Sequence, residues 1–399
     1  MNPRLAHLHP YPFERLAALK RGLTPPTDRN HIDLSIGEPK HATPQRVSEA
    51  VIEHLHGISQ YPKTAGTPAL REAIAAWATR RFGLPAGFLA PERHVLPVNG
   101  TREALFAIAQ AALDPCASPA QRVLMPNPFY QIYEGATILA GGEPHYLNSG
   151  ADGQPDYRAV PDEVWTRTRL LYVCSPNNPT GAVLDEDTLA YLIGKAQQHD
   201  FIIAADECYS EIYMDEAAPP PGLLQAAARL GHHSLRHCLV FHSLSKRSNM
   251  PGARSGFVAG DPEILAQFLL YRTYLGNATP PFVQAGAIAA WQDEEHVRAN
   301  RRAYREKFDA VLEVLAGVLP VARPAAGFYL WPQVGDGEAF ARDLYAQQHV
   351  TVLPGAYLSR AAHGANPGRD RVRIALVAPL EECVEAARRI QDFVSSRKG

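Results

Sequence analysis

The sequence predicts an α/β fold, with a mostly parallel sheet covered on both faces by helices. Three observations point there. Short apolar, β-branched runs alternate with helix-compatible stretches through the middle of the chain. The length, 399 residues, suits about two domains. Apolar types make up 46% and charged types 20%, enough to build a large core without disulfide or metal staples.

Taken in order, the candidate strands are His94–Val98, Arg122–Met125, Leu170–Cys174, Phe201–Ala205, Cys238–Phe241 and Gly256–Ala259. Helix-compatible stretches such as Arg102–Leu113 and Asp185–His199 lie between them. From Asp293 to Leu319 the pattern becomes one long amphipathic helix, in which Val297, Tyr304, Phe308, Val311, Leu315 and Leu319 recur at helical spacing. Beyond it, Phe328–Trp331, Val350–Leu353 and Val372–Leu376 read as strands of a smaller unit. The division that follows is a large unit over residues 46–290 and a small one built from residues 1–45 and 291–399. The Pro219–Pro221 run reads as a surface loop, because β-like runs continue on both sides of it.

Composition excludes several classes of function. The formal charge is 39 − 41 = −2, so nothing draws the chain to nucleic acid or to an anionic membrane. Cys116, Cys174, Cys208, Cys238 and Cys383 form no C-x-x-C pair, which favours reduced thiols and no metal site. The N-terminus is broken by prolines and histidines, and no apolar run is long enough to span a bilayer. A cytoplasmic protein is expected.

In open α/β sheets ligands sit off the carboxyl ends of the strands, so polar residues just past a strand carry the chemistry. Four such places stand out. Ser243-Leu-Ser245-Lys246, with Gly252, Arg254 and Gly256 after it, follows Cys238–Phe241. A lysine there can be desolvated into a free amine able to form a Schiff base, while Ser243, Ser245 and Arg254 can ligate a phosphate. Ser243-x-x-Lys246 also fits the S-x-x-K motif of serine β-lactamases, but the companion motifs of that class are missing or misplaced. Asp206, at the end of Phe201–Ala205, can pair with a protonated ring nitrogen, and Tyr209 three residues on can donate to a phenolate-like oxygen. The Asn177-Asn178-Pro-Thr-Gly181 turn fixes an amide toward a ligand. At Asn99-Gly100-Thr101-Arg102 a helix N-terminus offers free N–H groups to a phosphate.

Each place alone also has a plain structural reading: a loop lysine, a capping aspartate with a core tyrosine, a turn, a capped helix start. Together they supply an amine nucleophile, a carboxylate for a pyridinium, an amide and a phenol for a ring oxygen, and a phosphate cradle. That set describes a pyridoxal 5'-phosphate site.

The chain resembles the fold-type I pyridoxal-phosphate aminotransferases of class I/II. The lysine segment carries the resemblance, together with Asn178-Pro-Thr-Gly181, Asp206-Glu-x-Tyr209, Leu34-Ser-Ile-Gly37-Glu-Pro39 and Tyr61–Glu72. It implies a large domain with a seven-stranded, mostly parallel sheet and a smaller α/β domain. It implies catalytic roles for Lys246, Asp206 and Tyr209, with Lys246 joined covalently to the cofactor. Gly100, Thr101, Ser243, Ser245 and Arg254 then serve its phosphate, Arg102 is a further cofactor-binding residue, Tyr130 stacks on its ring, and Asn178 contacts its ring oxygen. Tyr61 would reach the phosphate of a neighbouring subunit, which implies a homodimer with shared sites. Arg373 would clamp the substrate α-carboxylate beside Gly37 and Asn178. Amino acids and 2-oxo acids are the implied substrates, with glutamate as donor.

The finer resemblance is to the proteobacterial N-succinyl-diaminopimelate aminotransferases of lysine biosynthesis. It rests on Gly37–Pro44, Pro126–Gly135 and Ala290–Val297. The basic pair Lys40-His41 departs from most class I relatives and suits a substrate with extra carboxylates. Other readings of the scaffold are an aspartate, aromatic or kynurenine aminotransferase and a C–S lyase. A non-catalytic effector-sensing unit would need an added DNA-binding module, for which the chain has no spare length.

Overall fold

The computed structural model describes residues 1–397. Among them the strands are β1 (Ile32–Asp33), β2 (Val95–Val98), β3 (Arg122–Asn127), β4 (Glu143–Asn148), β5 (Thr168–Cys174), β6 (Ile202–Asp206), β7 (Cys238–Ser243), β8 (Gly256–Gly260), β9 (Tyr329–Leu330), β10 (Val350–Thr351), β11 (Leu353–Pro354) and β12 (Val372–Ala375).

Seven strands form one sheet in the order β2-β8-β7-β6-β5-β3-β4. Only β8 runs antiparallel to its neighbours; the other pairings are parallel. The parallel strands are apolar on both faces because helices cover both. Alternate residues of one strand therefore enter different cores. Ile203 and Ala205 of β6, with Cys238 and Val240 of β7, pack with Trp77, Trp165 and Trp291. Ile202, Ala204, Leu239 and Phe241 pack on the other face with Ile108, Tyr133 and Tyr172. A one-residue slip of register would exchange these two sets.

Each of the six strands read from the sequence is present within a residue or two at its ends. The seventh, β4, is one of the two edge strands and pairs only with β3. The expected helices are also present: Thr101–Ala112, Glu186–His199 and Glu295–Leu315. Asp185 caps the second by accepting from the Thr188 N–H at 2.7 Å. The third ends at Leu315, ahead of the left-handed Gly317, and not at Leu319 as the apolar spacing predicts. Leu319 still joins the core, from the turn beyond.

The C-terminal strands are shorter than expected, and one is divided. The run Val350–Leu353 serves two sheets: β10 pairs parallel with β1, while β11 pairs antiparallel with β12. β12 in turn pairs with β9. A core of Ile32, Leu34, Phe308, Leu330, Val350, Ile374 and Phe393 joins these strands to the long helix and to the Leu380–Ser396 helix. No helix among the described residues is long and apolar enough to cross a membrane.

Candidate active site

β2, β3, β5, β6 and β7 run parallel and so end on one edge of the sheet. β8 runs the other way, so the segment that precedes it meets the same edge. Residues from six chain segments therefore converge there. They line a cavity of about 530 Å³ that includes Thr101, Tyr130, Asn178, Asp206, Tyr209, Ser243, Ser245, Lys246, Arg254 and Arg373.

Lys246 stands on the Leu244–Arg247 turn of helix directly after β7. Its Nζ donates to the Gly37 carbonyl and lies 5.5 Å from the centre of the Phe328 ring. Burial lowers its pKa to about 8; Cys208 opposes the shift, and the Arg373 charge adds to it. At neutral pH a usable fraction of this amine is unprotonated.

Asp206 ends β6 and is 5% exposed. One carboxylate oxygen accepts from the Tyr133 hydroxyl at 2.6 Å, the other from the Cys208 N–H at 3.2 Å. Burial pushes its pKa up, and these hydrogen bonds offset only part of that. A buried carboxylate without a cation is costly, so the position suits one that would face a positive ring nitrogen.

The anion cradle lies at the start of the Thr101–Ala112 helix. Gly100 caps this helix with φ +82°, and a Cβ there would overlap the Arg254 guanidinium. Arg254 has no carboxylate partner among the described residues; Nη1 donates to the Pro251 carbonyl at 3.0 Å. Ser243 Oγ accepts from the Ser245 N–H at 3.1 Å, and both serines are buried. Thr101 Oγ1 lies 3.0 Å from Cys208 Sγ. Bare helix N–H groups, a free guanidinium and hydroxyls are the donor set that a phosphate requires.

On the C-terminal side, Arg373 of β12 is 4% exposed. Its Nη1 donates to Asn178 Oδ1 at 3.0 Å and its Nη2 to the Ser35 carbonyl at 2.6 Å. The guanidinium lies 4.5 Å over the Tyr329 ring. Fixed in this way, it presents a rigid fork to a carboxylate.

Some expected residues stand elsewhere. Arg102 is exposed; it donates to the Tyr130 hydroxyl at 2.6 Å and to the Tyr11 hydroxyl at 3.0 Å, on the cavity wall. Tyr61 is fully exposed and does not line the cavity of its own chain. Lys40 pairs with Glu38 at 3.2 Å; Glu38 lines the cavity and Lys40 does not. His41 turns inward, with Nδ1 2.6 Å from Asn300 Oδ1 and Nε2 2.7 Å from Lys307 Nζ, so the basic pair does not act as a unit at the entrance.

Two residues escaped the reading of the sequence. Tyr133 is fully buried, stacks on Tyr172 at 4.5 Å and holds Asp206. Tyr329 is 2.8 Å from the Tyr209 hydroxyl, and its own hydroxyl occupies the space that a Cβ of Gly37 would need. The Tyr130-x-x-Tyr133 spacing, which places both rings on one side of a helix start, was the available signal for the first.

This donor set fits pyridoxal phosphate: an amine nucleophile, a buried carboxylate with no cation paired to it among the described residues, and a set of anion donors line one cavity.

Comparison with known proteins points the same way. The family profile Aminotransferase class I and II matches residues 29–390. An aminotransferase of Neisseria meningitidis superposes with a TM-score of 0.94 at 50% identity, covering 98% of this chain and 100% of that one. The LL-diaminopimelate aminotransferase of Desulforudis audaxviator is 34% identical, over 97% of this chain and 96% of its own. A probable N-succinyldiaminopimelate aminotransferase of Thermus thermophilus gives a TM-score of 0.83 at 30% identity, covering 96% and 99%.

Proposed function

The chain belongs to the class I and II aminotransferases, which use pyridoxal phosphate, and from that premise we propose that it moves an amino group between a diaminopimelate-type amino acid, in its N-succinyl form, and the 2-oxoglutarate/glutamate pair. The observation that carries the reaction class is the buried Lys246 amine, poised near pH 8, in one cavity with Asp206, Arg254 and Arg373.

When bound, the cofactor supplies an electron sink for the charge left on the substrate α-carbon. Lys246 Nζ is the group that would hold the cofactor, and as an amine with a lowered pKa it would take the α-proton and return one. Asp206, braced by Tyr133, would hold the ring nitrogen of the cofactor. Tyr209 and Asn178 would hold its ring oxygen, and Asn178 Oδ1 also accepts from Arg373. Tyr130, on the cavity wall, would hold its ring. Gly100, Thr101, Ser243, Ser245 and Arg254 seat the phosphate, and Arg102 closes that side of the wall. Arg373, held by Asn178 and the Ser35 carbonyl, would bind and orient the substrate α-carboxylate beside the Gly37 backbone.

The relatives support the substrate class. Their names divide between LL-diaminopimelate and its succinylated form, and they share one skeleton with an amino acid at each end. Free LL-diaminopimelate is the second reading, favoured by the curated relatives. The succinyl form carries an added carboxylate in place of the distal ammonium, which suits the uncompensated Arg102 on the cavity wall. The homodimer belongs to the same reading: Tyr61, exposed in its own chain, completes the neighbour's phosphate site.

Purified, cofactor-loaded enzyme assayed for glutamate formation separates the substrates. The expected order of kcat/KM is N-succinyl-LL-diaminopimelate, then LL-diaminopimelate, then aspartate or phenylalanine. The reverse order of the first two assigns the free diamine, and a preference for aspartate or phenylalanine ends the diaminopimelate reading. Borohydride reduction followed by peptide mapping should label Lys246, and Lys246→Ala should abolish turnover.

A further inference from the structure

The hydroxyls of Tyr209 and Tyr329 lie 2.8 Å apart, and either can be the donor. Both rings are buried, Tyr329 to 2% exposure. Tyr329 comes from β9 of the C-terminal sheet, while Tyr209 follows β6 of the large sheet. The Tyr329 hydroxyl is boxed in: the Gly37 Cα passes so close that no side chain fits there, and its ring carries the Arg373 guanidinium at 4.5 Å.

The hydrogen-bond inventory of the pair decides the direction. A phenol has one proton to give. Tyr209 Oη is the only hydrogen-bond partner of the Tyr329 hydroxyl among the described residues. Tyr209, in the proposed function on which this inference rests, has a second acceptor in the cofactor ring oxygen. Both hydroxyls are satisfied only if Tyr329 donates to Tyr209 and Tyr209 donates onward.

We infer that Tyr329 is a positioning residue: its hydroxyl donates to the Tyr209 oxygen and so commits the Tyr209 proton to the ring oxygen of the cofactor. Donation into Tyr209 also polarises its O–H bond and makes it a stronger donor. Gly37 serves the same arrangement by leaving space for the hydroxyl. The charged and titratable groups that face the pair are Arg373 on β12, Cys174 at the end of β5, Cys208 beside Tyr209, and Lys246 across the Phe328 ring.

A hydrogen bond to the deprotonated cofactor stabilises that form, so weakening it raises the pH at which the visible spectrum of the bound cofactor turns over. Loss of the direct bond in Tyr209→Phe should raise this midpoint by about one to two pH units. Loss of the relay in Tyr329→Phe should raise it by about 0.2 to 0.5 pH unit, because cooperative strengthening is a fraction of one bond. The phenylalanine keeps the ring under Arg373, so the affinity of the loaded enzyme for a dicarboxylate inhibitor such as glutarate should stay within about twofold.

Spectral titration of the two loaded variants and the double variant tests this. An upward shift in Tyr329→Phe that vanishes when Tyr209 is already phenylalanine supports the relay. A downward shift in Tyr329→Phe overturns it, because Tyr329 would then have been drawing the Tyr209 proton away from the cofactor. No shift in Tyr329→Phe beside a clear shift in Tyr209→Phe overturns it as well. No shift in Tyr209→Phe itself instead removes the assignment of Tyr209 to the ring oxygen. A glutarate affinity that falls tenfold overturns the relay in favour of a role in holding Arg373.

Discussion

At Gly100 the backbone turns with φ +82°, and the space above its Cα is taken by the Arg254 guanidinium. Gly100→Ala imposes both a strained backbone and a collision on the anion cradle. The expected outcome is a loss of pyridoxal phosphate affinity of about tenfold or more, measured by equilibrium dialysis, with the apoprotein still folded. Lys246 carries a second prediction at this scale. Burial disfavours its charge, so its proton leaves at lower pH than in an unfolded chain: ammonium dominates below about 8 and free amine above. Covalent capture of cofactor by apoprotein needs the free amine. Its rate should rise about tenfold between pH 7 and pH 9 and then level off, whereas an ordinary lysine would keep gaining rate past pH 10. Stopped-flow absorbance reads this directly. Lys246, Asp206 and Asn178 were legible in the sequence because each follows an apolar run that could only be a strand, and the sheet brings all such exits to one edge. Tyr133 and Tyr329 were not, because they act from inside a helix and a strand, where an aromatic residue reads as core. Tyr133 touches an aspartate 73 positions away, a distance that no local spacing encodes.

Elements were read best where burial is two-sided. β5, β6 and β7 are buried along almost their whole length, so hydrophobic runs mark them. β4 is Glu-Pro-His-Tyr-Leu-Asn, with only Leu147 buried, so no continuous apolar run marks it, unlike β2 at the opposite edge, whose four residues are all buried. The division of Val350–Leu353 between two sheets was also hidden, since the residues of both pieces are apolar or buried and carry no mark of the switch. The short helix that bears Lys246 is held from behind by its neighbour. Arg247 is 1% exposed, donates to the Ala290 and Asp293 carbonyls, pairs with Glu294, and lies 5.0 Å from the centre of the Trp291 ring. It fastens the catalytic turn to the junction between the Pro281–Gln292 and Glu295–Leu315 helices. Arg247→Ala leaves a cavity and strips those carbonyls of a donor. We expect a loss of about 3–5 kcal/mol in denaturant unfolding. Glu294→Gln should cost far less, because it keeps a neutral acceptor for the guanidinium.

At the scale of the whole molecule, two segments carry exposed apolar side chains. Ile52, Leu55, Ile58 and Tyr61 lie along one stretch, and Leu270, Tyr274 and Leu275 end the Pro262–Leu275 helix. The chain then returns to the first stretch, where Pro281 packs on Gly57. Exposed apolar groups on both segments suit the dimer interface proposed above. In a two-fold dimer the same patch serves both copies, and whatever Tyr61 reaches on one side it reaches on the other. That symmetry allows a test in which neither variant can repair itself. On the proposed reading, Tyr61→Phe lacks the hydroxyl that would serve the neighbour's phosphate, and Lys246→Ala lacks the amine of its own site. Each homodimer is then defective at both sites. A hybrid dimer collects both defects in one site and leaves the other native. After subunit exchange at equal concentrations, half the dimers are hybrids with one native site in two, so activity should recover to about a quarter of wild type, above the sum of the separate homodimers. If mixing restores nothing while native mass spectrometry detects the hybrids, Tyr61 does not act across the interface. If Ile58→Asp yields a monomer that keeps full activity, the site is complete within one chain.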